Sequence, residues 1–418
     1  MSKKSTKLLD VIVIGAGASG MMAAITAARR GKSVAILERM NKPGKKILAT
    51  GNGKCNFTNN NMDTSCFHGN IQLIQSVLSR FSKEEALSFF HEIGIWPKEK
   101  NGYYYPNSGQ AASVAEALKH ELDRLQVPVY LEQEVLDLFP DKYGFRIKTV
   151  QTSYTCRNVI IASGLLAAPK LGSDGSMFSL IKELGHRFVP VLPALCGFYA
   201  KGMHFSKVAG VRCDANLTLK IDGNTAATEQ GELQLADYGI SGIPVFQISS
   251  PAVRALYEKK SVTVVIDFLP DISLEMLNTE FAMRIGKCET NENADRLLRG
   301  LLNQKLIPVL LKYAGIRSDE PLKNISLEKL ERLSAGIHDY PVTLEKVRDF
   351  EFAQVCTGGI RTEEINEKTL ESRLLSGLYF AGEILDVDAY TGGFNLQIAW
   401  ATGYLAGLSA AESEEMYD

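Results

Sequence analysis

Three glycines, Gly15, Gly17 and Gly20, stand in G-x-G-x-x-G spacing within DVIVIGAGASG (10–20). Glycines so spaced can bring backbone amides against a pyrophosphate. The first permits a tight turn, the second lets the backbone approach the phosphates, and the third lets a helix pack close to a sheet. Ala16, Ala18 and Ser19 fill the intervening positions, and Ser19 adds a hydroxyl. A helix starting here offers free N–H groups and the positive end of its dipole to the phosphates. Glu38, 18 residues beyond Gly20 and followed by Arg39, stands where a carboxylate takes the ribose hydroxyls of an adenosine.

The flanking residues supply the elements this chemistry needs. Val11 to Ile14 form an apolar, β-branched run, Met21 to Arg30 read as a helix, and SVAIL reads as a second strand ending on Glu38. The basic head MSKKSTK and the 18 uncharged residues from Val11 to Ala28 have the outline of a secretion signal. Asp10, the three glycines and the strand into Glu38 argue against that reading, so a cytoplasmic protein is expected.

A second group of chemistry-bearing residues follows in RMNKPGKKILATGNGKCNFTNNN (39–61). Gly44, Gly51 and Gly53 let the backbone approach a ligand, Lys45, Lys46 and Lys54 add positive charge, and Asn52, Asn56 and Asn59 add amide groups. Such a loop suits the far half of a dinucleotide, and a plain surface loop rich in turn formers is the alternative. The strand ending in Ile160 and Ile161 runs into Ala162, Ser163 and Gly164. In an open α/β sheet that turn belongs on the same ligand-binding rim as Gly15. Near the end, LYFAG brings a buried strand to Gly382 and Glu383, and TGGFNLQ sets Gly392 and Gly393 before a helix of small residues.

Between these parts the character changes. Short strands alternate with turns from about residue 191, and helical periodicity carries leucines from Ser273 to about Ala335. Residues 71–95 and the stretch after Gln110 read as amphipathic helices, and Tyr103, Tyr104 and Tyr105 read first as packing and second as cavity lining.

Composition bounds the function class. Net charge is −2 over 418 residues, so no global basic field draws in nucleic acid or an anionic membrane. Seven scattered cysteines with no CxxC pair argue against a disulfide framework or a zinc or iron–sulfur centre, and six dispersed histidines add no metal-ligand spacing. Cys55 lacks a nearby partner, so it reads as a small buried hydrophobe rather than half of a redox relay.

GAGASG, GKKILATGNGKCNFTN, YYPNSGQAASVAEAL, GELQLADYGISG, TGGI (357–360) and LYFAGEILDVDAYTGGFNLQIAWATG occur in this order. Together they resemble the FAD-dependent oxidoreductases of the aminoacetone-oxidase type, a family that includes a bile-acid intermediate reductase. The resemblance covers nearly the whole chain. It implies an α/β, Rossmann-like, two-dinucleotide-binding-domain flavoprotein with a discontinuous FAD domain (1–190 and 355–418). It also implies an inserted β-barrel-like domain (191–272) and a helical return segment (273–354) that cover the flavin ring.

By position, the resemblance assigns the pyrophosphate to Gly15, Ala16, Gly17, Ala18, Ser19 and Gly20, with Gly164 and Ala162 nearby. It assigns the adenosine ribose to Glu38, beside Arg39, and adenine to the backbone of Val135. Lys46, Gly51, Asn52, Gly53, Cys55 and Asn56 fall along the ribityl and ring side. Gly382, Glu383, Gly393, Phe394, Asn395 and Leu396 hold the flavin end. Ala389 departs from an expected glycine, and Asn52 from a commoner triple glycine. The implied activity is hydride transfer between flavin N5 and a small organic substrate, with two substrate classes. One is a ketone-conjugated alkene reduced with NAD(P)H as a transient donor, and the other an amine oxidised by O2. No general acid or base is assigned, and Tyr104, Tyr105 and Tyr390 are the candidates. A tRNA-binding flavoprotein and a redox sensor are the readings from other classes. No metal, no nucleic acid and no membrane partner are expected.

Overall fold

The computed structural model describes residues 8–288 and 292–413; the basic head, residues 1–7, lies outside them. The chain forms two compact units, one comprising residues up to Leu192 together with those from Ala353 onward, the other Pro193–Phe352.

In the first unit, β1 (Leu9–Ile14), α1 (Ala18–Arg29) and β2 (Val34–Leu37) form the expected strand–helix–strand, with β1 and β2 parallel and in register from Val11↔Val34 to Ile14↔Leu37. These strands are apolar on both faces, as a sheet covered by helices requires, and Val11, Ile12, Val13 and Ile36 are fully buried. The seven-stranded sheet runs Val129–Tyr130, β2, β1, Ser153–Ile161, Gly144–Thr149, Val135–Asp141. Leu378–Phe380 pairs parallel with the last residues of Ser153–Ile161. The ends of β1, β2, Ser153–Ile161 and Leu378–Phe380 therefore open on one rim, where the glycine turns follow.

The closing helix, Phe394–Glu412, packs against α1 without room for side chains between them. A methyl group on Gly403 would stand 2.3 Å from the Ser19 carbonyl oxygen, and one on Gly407 2.3 Å from that of Ala23. The G-x-x-x-G pair in the last helix thus brings the two backbones together. The same helix holds the 57–59 segment: Trp400 Nε1 donates to the Phe57 carbonyl (2.9 Å), and Thr58 Oγ1 donates to Gln397 Oε1 (2.7 Å). Phe90 packs on both the Phe57 and Trp400 rings, which fixes the base of the 50–56 loop.

The second unit is built on a closed barrel of six strands. Round it in order stand Phe198–Lys201, Gly239–Gly242, Asn224–Ala236, Arg212–Ile221, Val262–Asp267 and Tyr340–Val347. Alternation sends Leu217, Leu219, Val264, Ile266, Val342 and Leu344 inward. The helices Leu274–Gly286, Ile307–Tyr313 and Leu327–His338 lie in sequence between its last two strands.

Candidate functional site

Each glycine of the first turn meets a different demand. Gly15 has φ +105°, and a side chain there would strike the Ala162 carbonyl 2.6 Å away. A methyl on Gly20 would overlap the Gly15 carbonyl oxygen at 1.9 Å. Gly17 has ordinary φ/ψ (−84°, −167°), and a methyl there would meet no protein atom within 4 Å. Two glycines are thus required by the chain itself, while the space before Gly17 is open. Ala18 begins α1, and Ser19 donates its hydroxyl to the Ala381 carbonyl (3.3 Å), tying the first turn to the end of the strand Leu378–Phe380.

Glu38 lies beside the same turn. Its Oε2 accepts from the Ala16 N–H (2.6 Å) and its Oε1 from the Met40 N–H (2.7 Å). Each carboxylate oxygen keeps lone-pair capacity for a hydroxyl donor. Arg39 turns away to Asp174 (2.5 Å) and the Gly172 carbonyl (3.4 Å). Residues 132–133 run alongside, with Gln133 N–H donating to the Glu38 carbonyl (2.9 Å), which brings Val135, two residues on, to the Glu38 end of the rim.

The other half of the site gathers round an ion pair. Lys46 Nζ lies 2.7 Å from Glu383 Oε2, and Glu383 Oε1 accepts from the Cys356 N–H (2.8 Å). A methyl on Gly164 would approach that carboxylate to 3.5 Å and Ser173 Oγ to 2.7 Å. Gly382 (φ +80°) has no room for a side chain because Ser19 Oγ stands 2.3 Å from where it would begin, and its N–H donates to Thr402 Oγ1 (2.9 Å).

In the 50–56 loop, Gly51, Asn52 and Gly53 all have positive φ, with Gly51 and Asn52 in a left-handed turn. Cys55 also has positive φ and is fully buried, and burial pushes its thiol up to about 12 despite a hydrogen bond from Thr50. At neutral pH it is a thiol, not a thiolate, and all seven cysteines are free.

The last helix begins at Gly393, whose φ is +96° and where a methyl group would stand 2.6 Å from the Thr58 carbonyl oxygen and 2.9 Å from Asn56 Oδ1, which excludes a side chain. Phe394 packs edge-on against Phe67. The Asn395 side chain is spent on the backbone of Ala389 and Tyr390, so Asn395, like Leu396, offers a ligand its main-chain amide.

The fit of a dinucleotide rests on the two helix starts at the rim and on the unpartnered Asn56 beside one of them. Four other helices have Asn70, Ser82, Ser273 or Ser326 as a side-chain cap. Neither α1 nor Phe394–Glu412 has such a cap, and neither carries an acidic residue in its first turn, a trait shared with Ala111–Arg124, Ser249–Tyr257 and Ile307–Tyr313; what sets these two apart is that both start at the glycine turns of the rim. Asn56 Oδ1, beside Gly393, is buried without a hydrogen-bond partner. Ten residues of helix separate Gly393 from Gly403, which touches Ser19, so the two helix ends lie about 15 Å apart along the last helix at 1.5 Å per residue. An extended dinucleotide has the length to lie against both, and the donor set suits its phosphates and ring carbonyls.

Of the tyrosines, Tyr104 donates to Asn60 Oδ1 (2.9 Å), while Tyr105 lies 3.9 Å from the space above Gly51, its phenol pushed up by burial. Tyr390 lies beside His68, their rings 5.7 Å apart. The 172–174 loop, the Cys356 amide and Thr402 are parts of the site that sequence reasoning missed. Only the small residues of GSDGS (172–176) signalled any of them. Among the described residues no group of three or more His, Cys, Asp or Glu is placed to hold a metal, and no helix is long and apolar enough to cross a membrane.

The HI0933-like protein Rossmann domain family matches residues 9–409. A 3-dehydro-bile acid delta(4,6)-reductase from Clostridium scindens is 44% identical over 96% of this chain and 98% of its own. A ribosomal RNA dihydrouridine synthase from Haemophilus influenzae is 32% identical over 95% of this chain and 97% of its own. The crystal structure of a 3-ketosteroid-delta4-(5alpha)-dehydrogenase from Rhodococcus jostii shares the fold, with TM-score 0.51, 16% identity and 99% of each chain covered. The chain belongs to the HI0933-like Rossmann-domain family, the FAD-dependent oxidoreductases that its motifs resemble.

Proposed function

We propose that this protein binds FAD along the rim described above and reduces a carbon–carbon double bond conjugated to a carbonyl, with NAD(P)H as the electron donor. The observation that carries the reading is the 44% identity, over almost the full length of both chains, to a protein named as a 3-dehydro-bile acid delta(4,6)-reductase. By its name that relative acts on a ring ketone with adjoining double bonds. The more distant relatives point to the same bond type, since dihydrouridine differs from uridine by two hydrogens across a double bond next to a carbonyl.

When bound, the flavin supplies a hydride from N5. The chain's own residues do the rest. The amides at the start of α1, with Gly17 leaving space, hold the pyrophosphate, and Glu38 holds the adenosine ribose. The amides of Phe394, Asn395 and Leu396 and the helix dipole favour negative charge at the far ring. Lys46 and Glu383 fix the loop between these ends. Reduction of a conjugated alkene also needs one proton on the carbon next to the carbonyl. The Tyr105 hydroxyl, whose ring borders the space above Gly51, is the donor proposed for that role.

Substrate size separates two versions of this reading. The reductase relative favours a small organic acid, and the ribosomal RNA dihydrouridine synthase, at 32% identity, favours a uracil ring in RNA. Anaerobic titration with NADH or NADPH, followed by a 3-oxo-4,6-diene steroid acid or by unmodified ribosomal RNA, tests both. Bleaching by a nicotinamide and return of the yellow colour on adding the steroid supports the first version. Recolouring by RNA alone replaces it with the second, and failure of either nicotinamide to bleach the flavin overturns the donor.

A further inference from the structure

The barrel unit contains a cation that the fold restrains and does not neutralise. Arg348 follows the strand Tyr340–Val347, and its N–H donates to the Gly197 carbonyl (3.0 Å). The guanidinium carbon lies 3.3 Å from the centre of the Phe352 ring and 4.5 Å from that of Tyr238, so the cation lies over two aromatic rings. Among the described residues the side chain makes no hydrogen bond and no ion pair, and its Nε is buried without a partner. The nearest acid in sequence, Asp349, pairs with Lys346 (3.2 Å). Cys196 nearby supplies no negative charge, because burial pushes its thiol up to about 12.

Stacking covers the faces of a guanidinium and leaves its N–H edge, the edge that meets a carboxylate bidentately. Burying donors of a charged group without acceptors is costly unless a ligand satisfies them. Phe352 is half-exposed, and Tyr199 packs on Tyr238 with ring centres 5.4 Å apart, so apolar surface borders the free edge.

We propose that Arg348, held by Phe352 and Tyr238, is a binding site for the carboxylate of an amphipathic organic acid whose hydrocarbon body lies on the neighbouring rings. The site stands on the barrel's own residues; only the view that this acid is the reductase substrate rests on the function proposed above.

Calorimetric titration of the holoenzyme with cholate, and separately with the neutral steroid 4-androstene-3,17-dione, tests it without turnover. Arg348→Gln is expected to weaken cholate roughly tenfold or more and to leave the neutral steroid unchanged. Arg348→Lys is expected to fall between wild type and Arg348→Gln, since it keeps the charge and loses the flat fork. Phe352→Leu, at an exposed position, serves if Arg348→Gln does not fold, with a several-fold loss expected. Equal cholate affinity in wild type and a folded variant overturns the proposal, as do equal losses for cholate and the neutral steroid. Inorganic phosphate competing as well as cholate overturns the organic acid as ligand. If cholate binds through Arg348 and no steroid reoxidises the reduced enzyme, the catalytic reading fails while this one stands.

Discussion

Lys46 Nζ and Glu383 Oε2 lie 2.7 Å apart although 337 residues separate them in sequence. Both side chains are mostly buried, and the pair joins the first glycine-rich loop to the return of the chain into the same sheet. Replacing Lys46 by Met leaves the Glu383 carboxylate with the Cys356 amide as its remaining donor. The expected loss is about 1–2 kcal/mol of stability, between the values for exposed and buried pairs. FAD should also dissociate faster. Denaturant melts and the rise of free-flavin fluorescence measure both.

The glycines of the first turn should separate by mutation. Gly17→Ala introduces a methyl group that meets no protein atom, at ordinary φ. Its melting temperature should stay within a degree or two of wild type while FAD affinity falls roughly tenfold or more. Gly20→Ala forces a methyl into the Gly15 carbonyl and should cost about 3 kcal/mol or more whether or not FAD is present. Similar melting losses for the two variants would show that Gly17 is a packing position and not a ligand position.

Acid should destabilise the protein through one buried cluster. His186 Nδ1 lies 3.2 Å from Glu364 Oε2 and its Nε2 2.8 Å from Ser372 Oγ. Burial lowers the His186 pKa below its ordinary 6.5, outweighing the Glu364 charge, so the unfolded chain takes up that proton first as pH falls. Stability is therefore lost from about pH 6.5 downward through the folded value. Glu364, buried but hydrogen-bonded and paired with Arg187, has its pKa lowered from 4.5. Its contribution is present above 4.5 and is lost as pH falls through its folded value. His186→Gln should melt lower at pH 8 and show a flatter dependence between pH 7 and 5. An unchanged slope would exclude His186 as the group responsible.

Cys55 should be silent chemically. Its buried, protonated thiol predicts no alkylation by iodoacetamide at pH 8 while the protein is folded, and Cys55→Ala should keep most of the turnover. Rapid labelling of Cys55, read by peptide mass, would reinstate it as a redox group.

What the sequence made legible was local. Gly15, Gly17, Gly20 and Glu38 are fixed by a short strand–turn–helix–strand unit whose spacing carries its geometry. The α/β class and the return of the chain through Gly382 and Gly393 follow from the same kind of signal. Contacts between distant segments were not legible. Nothing near Arg39 names Asp174, nothing near Ser19 names Ala381, and the Lys46–Glu383 pair needs the folded sheet to exist. Barrel closure by Tyr340–Val347 is hidden for the same reason, since some seventy residues separate it from its neighbour Val262–Asp267. Arg348 escaped notice because one arginine in a charged segment is ordinary until its aromatic neighbours, Tyr238 and Phe352, are brought to it.

The account depends on one dinucleotide lying against both uncapped helix ends, and a competition titration of the apoprotein tests that most directly. It predicts one FAD bound per chain, displaced by ADP and by FMN alike, with each fragment binding at least a thousandfold more weakly than the intact cofactor (roughly the gain from joining two binding halves). FMN binding as tightly as FAD, or ADP failing to displace it, would contradict the account.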